Sequence, residues 1–203
     1  MGQLLGDQFT RPGGSVNGLC HANFFKNLAA TSANYTSSIN KGITVNETNG
    51  TLYMAPNDNY LRAERTASIG TTKWSIDLGS TTGTAPFCDF NNPAGPIYVG
   101  AGQYMYRVLD NTTGASIASP GWTYSSTDVI TSNPIALDSV VYFGCDDKRL
   151  FAVSAITGTA KTGWPSTPLG DKTNVRVAVD NTYGIVYFGT ADGKVYCFTK
   201  EAP

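Results

Sequence analysis

The sequence predicts an all-β fold, a β-propeller of four-stranded antiparallel blades of about 45 residues, with four repeats to the chain. Two observations predict it. Four short apolar segments, Leu52-Tyr53-Met54-Ala55, Ile97-Tyr98-Val99-Gly100, Val141-Tyr142-Phe143-Gly144 and Val186-Tyr187-Phe188-Gly189, set their tyrosines 45, 44 and 45 residues apart. All three tryptophans, Trp74, Trp122 and Trp164, fall at one phase of that interval. A large ring returning to one place in each copy is how stacked sheets fill the wedge between neighbours. A β-sandwich with evenly spaced hairpins also gives short strands and turns, but it does not bring Tyr, Gly and Trp back in step.

Each copy reads as four strands. A short apolar strand enters a turn that opens on Asn or Asp and closes on Gly: Val45-Asn46-Glu47-Thr48-Asn49-Gly50, Phe90-Asn91-Asn92-Pro93-Ala94-Gly95 and Val179-Asp180-Asn181-Thr182-Tyr183-Gly184. Asx side chains bond the local backbone and Gly accepts positive φ, so this is hairpin chemistry. Leu137-Asp138-Ser139 is a shortened version. The tyrosine strand follows, then a second turn, clearest in Ala191-Asp192-Gly193-Lys194. A third strand is expected at Leu61 to Ala63, Tyr106 to Leu109, Leu150 to Val153 and Val195 to Phe198. Thr113-Gly114 and Thr157-Gly158, with Gly70 as their counterpart in the first copy, then turn the chain into the tryptophan strand. No helical periodicity competes over this span.

The last copy runs to Lys200-Glu201-Ala202-Pro203 after its third strand, without a tryptophan strand. Ala33-Asn34-Tyr35-Thr36-Ser37-Ser38 looks like the missing element, with Tyr35 in the tryptophan's place; it compares with Gly121-Trp122-Thr123-Tyr124-Ser125-Ser126. The expected organisation is an N-terminal arm or linker over 1–32 and propeller repeats over 33–203, the last blade completed by the segment near 33–38. Latching within one chain closes a ring of four blades. Exchange between two chains makes one of eight, and donation along a filament is a third arrangement. Oligomerisation or strand exchange is favoured, because an open stack leaves bare strand edges. In the arm, Leu19, Phe24, Phe25 and Leu28 either pack under the propeller or dock on a neighbouring subunit.

The run from Val186 through Asp192-Gly193 to Tyr196, and Ala155-Ile156-Thr157-Gly158 through Trp164, resemble the pyrroloquinoline-quinone-like repeat family. Its blades read v-Y-v-G-s-x-D-G-x-l-y-A-l-d-x-x-T-G-x-x-x-W, and the likeness spans residues 38 to 203. Members include quinoprotein dehydrogenases and non-enzymatic scaffolds of the BamB type, so the resemblance implies architecture and is nearly silent on function. Enzymatic membership would imply a quinone and calcium near the propeller axis, a vicinal cysteine pair and a much longer chain. No such cysteine pair is present, and the family's catalytic acids find no match here.

Composition narrows the function further. Charged residues are only 14%, against the usual quarter, with Gly, Asn, Ser and Thr filling the gap. A net charge of −1 without a basic stripe argues against a nucleic-acid partner. No apolar run reaches membrane-spanning length, and no signal peptide opens the given chain. Met1-Gly2 fails the myristoylation pattern at Gly6. The sequons at Asn34, Asn46, Asn49 and Asn111 are close to the chance number for so Ser/Thr-rich a chain. The surface chemistry points to an extracellular, cell-surface or virion setting.

Candidate chemistry is thin. Cys20, Cys88, Cys145 and Cys197 form no Cys-x-x-Cys pair and read as small buried residues, one disulfide being the alternative in a secreted setting. The only histidine, His21, sits beside Cys20, and adjacent residues in an extended segment point apart. Asp146, Asp147 and Asp192, with Asp58 at a corresponding place, fall in turns at one end of the blades. They are the candidate calcium ligands, and turn-forming Asp is the plainer account. No other cofactor is expected. Tyr60, Tyr104 and Tyr124 are candidate stacking surfaces for a sugar ring. The expected function is a non-catalytic propeller for protein–protein assembly or adhesion, self-associating through its N-terminal strand or arm, with a protein or glycan partner. The alternatives are a carbohydrate- or small-molecule-binding propeller and a fragment of a quinoprotein-like oxidoreductase.

Overall fold

The computed structural model describes residues 37–66, 72–89, 95–111, 114–117 and 121–200. Among them every regular element is a strand, and no helix is long and apolar enough to cross a membrane. The first blade is β1 (Ile43–Asn46), β2 (Thr51–Met54), β3 (Tyr60–Arg65) and β4 (Thr72–Asp77), antiparallel and paired in chain order. The second comprises β5 (Phe87–Cys88), β6 (Ile97–Ala101), β7 (Tyr104–Asn111), β8 (Gly114–Ser116) and β9 (Trp122–Ser125). The third is β10 (Ile135–Leu137), β11 (Val140–Gly144) and β12 (Leu150–Ser154). The fourth is β13 (Ala178–Asp180), β14 (Ile185–Gly189) and β15 (Val195–Thr199).

The Asx–Gly turns form as their residues dictate. Asn46 Oδ1 accepts the amides of Thr48 and Asn49 at 3.0 and 3.3 Å, and Gly50 closes the turn at φ 61°. Asp180 does the same for Thr182 and Tyr183 at 2.8 and 3.1 Å, with Gly184 at φ 65°. These two hairpins, far apart in sequence, are built alike.

Four strands per blade holds only for the first. The second sheet has five, because β7 is eight residues long and pairs with β9 along its first half and β8 along its last. In the third, Trp164 is followed by Pro165, which has no N–H to give to a ladder. The chain beside β12 therefore makes separate contacts: Lys161 N to Ala152 O and Ser166 N to Leu150 O, both 2.9 Å. The fourth sheet has three strands, and β15 pairs with β14 alone among the described residues. Its expected completing segment lies outside them, Tyr35 included, apart from Ser37 and Ser38.

The core is three layers between successive blades. Blade one contributes Tyr53, Leu61, Ala63 and Trp74, sealed by Ile97, Val99, Tyr106 and Val108 of blade two. The other face of blade two, with Tyr98, Met105 and Trp122, meets Val141, Phe143, Phe151 and Val153 of blade three. Val140, Tyr142, Leu150, Ala152 and Trp164 then meet Val177, Val186 and Phe188 of blade four. Successive side chains of a strand point to opposite faces, so each blade seals one neighbour with one face and is sealed by the next on the other.

Candidate assembly interface

The tyrosine and tryptophan of each repeat meet. Tyr53–Trp74, Tyr98–Trp122 and Tyr142–Trp164 ring centroids all stand 5.9 Å apart. Cross-strand pairing places them: Ala63 lies between Tyr53 and Trp74, and Arg107 between Tyr98 and Trp122. All six rings are buried. Such ring pairs add about 1 kcal/mol beyond the area they bury.

One position of the following blade clasps each pair. It lies three residues after the third-strand residue that faces the tyrosine, and it is Asp110, Ala155 and Lys200 in blades two, three and four. Asp110, with a side chain only 2% exposed, accepts from Tyr53 Oη at 2.7 Å, Trp74 Nε1 at 2.8 Å and Lys73 Nζ at 2.6 Å. Burial, with the Asp110 carboxylate beside it, pushes the Tyr53 phenol up. Ala155 O accepts from Trp122 Nε1 at 3.1 Å. Lys200 O accepts from Tyr142 Oη at 3.5 Å, while the buried Trp164 Nε1 has no partner.

Blade four breaks the series on its far side. Tyr187, Val195 and Cys197 hold the positions of Tyr142, Leu150 and Ala152, as the cross-strand registers show. The latter three are buried, at 0%, 0% and 1%. Val195 is 78% exposed, Cys197 is exposed and Tyr187 is half-buried. The opposite face is sealed: Phe188 and Phe198 stack at 5.5 Å, and Trp164 meets Phe198 edge-on at 6.1 Å.

The glycine two residues after the tyrosine in blades two, three and four marks the same difference. A Cβ on Gly100 would strike Ile130, on the chain leading to blade three, and Thr84, on the chain entering blade two; one on Gly144 would strike Thr173, on the chain leading to blade four. At Gly189 the nearest atom is Val175 Cγ2 at 3.5 Å, within ordinary contact. Nothing crosses the fourth blade among the described residues.

The other sequence-predicted residues fall elsewhere. Asp146 bonds Thr131 Oγ1 at 3.1 Å and lies 3.5 Å from Lys172 Nζ. Asp147 accepts from Thr127, from Arg149 N at 3.0 Å and from the Cys145 thiol at 2.6 Å. Asp192 is paired with Lys194 at 2.7 Å, and that ammonium holds its carboxyl below the usual range. The three occupy turns of adjacent blades but are taken up by lysine, hydroxyl and backbone, and no group of three or more His, Cys, Asp or Glu gathers among the described residues. Each of the three candidate calcium ligands is thus engaged by a protein partner. Tyr124 packs edge-on against Phe143 and Phe151 at 6.0 and 6.1 Å, as a core ring does. Tyr60 and Tyr104 are 38% and 37% exposed, Tyr60 with the Arg62 guanidinium 5.0 Å above its ring. Cys20 and His21 lie outside the described residues. Cys88 and Cys145 are buried free thiols, whereas Cys197, read from the sequence as buried with them, is exposed because no described element covers that face of blade four.

No protein-family model and no curated protein matches this sequence. Solved structures do. The computationally designed Ika4 protein superposes with a TM-score of 0.64 at 15% identity, over 81% of this chain and 92% of that one. BamB from Moraxella catarrhalis gives 0.60 at 18% identity, over 77% of this chain and 45% of that one. The designed Ika8 protein gives 0.58 at 15% identity, over 77% and 44%. The chain thus spans under half the length of BamB and Ika8. At these identities the likeness is one of fold, and it places the all-β stack of blades among the propellers.

Proposed function

We propose that this chain is a non-catalytic β-propeller module for protein–protein assembly, self-associating through the outer face of its fourth blade. One observation carries the reading: Val195 and Cys197 stand exposed and Tyr187 half-buried where their counterparts in blade three are sealed beneath another blade. Covering Val195 alone is worth about 1.5 kcal/mol. Among the described residues β15 pairs with β14 alone, so its outer edge is where a further strand would add. The segment near 33–38 is the strand we assign to that edge, with Tyr35 set against Tyr187 as tryptophans are in the other blades. Low charge and a Ser/Thr/Asn-rich surface suit an extracellular, cell-surface or virion setting for such a module.

Thiol labelling of the full chain tests the reading. Burial pushes the Cys88 and Cys145 thiols up to about 11 and about 12, so both stay protonated and unmodified at pH 8. Cys197 is expected to become protected as protein concentration rises, and to react at every concentration in Val195→Glu. A Cys197 that reacts equally fast at all concentrations in both chains contradicts the proposal.

A further inference from the structure

We infer that two copies of this chain close a single ring, the fourth blade of each seated on the first blade of the other. The inference rests on the assembly reading above and names its partner.

Part of each half of one interface is exposed at the two ends of the stack. One half is the fourth-blade face of Tyr187, Val195 and Cys197. The other half is on blade one, which matches blade four in the length of its first hairpin: Asn46 pairs with Thr51 as Asp180 pairs with Ile185. By that register Ile43 and Val45 hold the positions of Val177 and Val179. Val177 is fully buried against blade three and Val179 packs beside it. Ile43 and Val45 are 47% and 37% exposed. Leu52, Met54 and Glu64 on the same face are already buried, so the row open to a partner is Ile43 and Val45.

Within one chain these halves stay apart, since Val195 and Ile43 are both exposed in it. A second copy brings them together twice, by a two-fold axis, and a head-to-tail contact that closes in this way makes a ring rather than a filament. Four blades lie along under half of BamB and of Ika8, which leaves room in such a ring for a second copy, and along 92% of Ika4. The one departure of blade one is matched by blade four. Arg62 and Glu64 stand where blade four has Tyr196 and Phe198. Phe198 serves to meet Trp164 of the blade before it, and residues 178–200 of blade four offer no tryptophan. Arg62 is held by Asp58 at 2.8 Å.

Complementary charges test the pairing on the full chain. By sedimentation equilibrium the wild type is expected at twice the 21.5 kDa of one chain. Val195→Lys and Val45→Glu are each expected to sediment as single chains, and their equimolar mixture to recover the doubled mass, one interface being wild type and the other a Lys–Glu pair. Dissociation by Val195→Lys with Val45→Glu still double overturns the head-to-tail ring and leaves fourth-blade docking standing. A doubled mass in both variants overturns the ring and the docking face together. A mixture that stays single also overturns the ring.

Discussion

Asp110 holds the first interblade layer at a single carboxylate, receiving Tyr53, Trp74, Lys73 and Asn49 from the preceding blade. Asp110→Ala leaves a buried indole N–H and phenol without their acceptor, and is expected to cost about 3 kcal/mol in urea unfolding. Asp110→Asn keeps one acceptor oxygen and should cost about half as much. A loss under about 0.5 kcal/mol for the alanine change would contradict the clasp. The tyrosines and tryptophans of the clasp were legible in the sequence, because large rings returning in phase have few other uses. Asp110 was not. Its partners lie 36 to 61 residues away, and the same position uses a carboxylate in one interface but backbone carbonyls in the next two, so no side chain repeats.

At the scale of elements, the tyrosine strand and the strand after it were legible in all four copies, since short apolar runs bounded by turn residues mark each of them. The tryptophan strand was legible in the first two blades, where Trp74 lies in β4 and Trp122 in β9, but not in the third, where Pro165 follows Trp164; nor was the added β8, which a β7 long enough to hold two partners admits. Exposure was equally hidden. Val195 and Leu150 have the same pattern around them, and only the absence of a covering blade separates 78% from 0%. The crossing glycines carry a prediction at this scale. Gly144→Ala should lower stability by about 2 kcal/mol or more, because Thr173 cannot yield without moving the chain that enters blade four. In the single-chain Val195→Glu background, Gly189→Ala should be within about 0.5 kcal/mol of neutral. Equal thermal shifts for the two would mean that no chain crosses the third blade as described.

For the whole molecule, three sealed layers and one open face make blade four an internal blade in design and a terminal one in position. Its inner face stacks Phe188, Tyr196 and Phe198 against blade three, while its outer face repeats the positions that elsewhere seat a neighbour. Hydrogen exchange should report this directly: the amides of Val195 and Cys197 exchange as an open edge in dilute Val195→Glu and slow down as the wild type associates. The most direct test of the account is the mass of the full chain in solution beside that of Val195→Glu. The account predicts twice 21.5 kDa for the wild type and 21.5 kDa for the variant. A wild type that sediments as one chain at every concentration would contradict it.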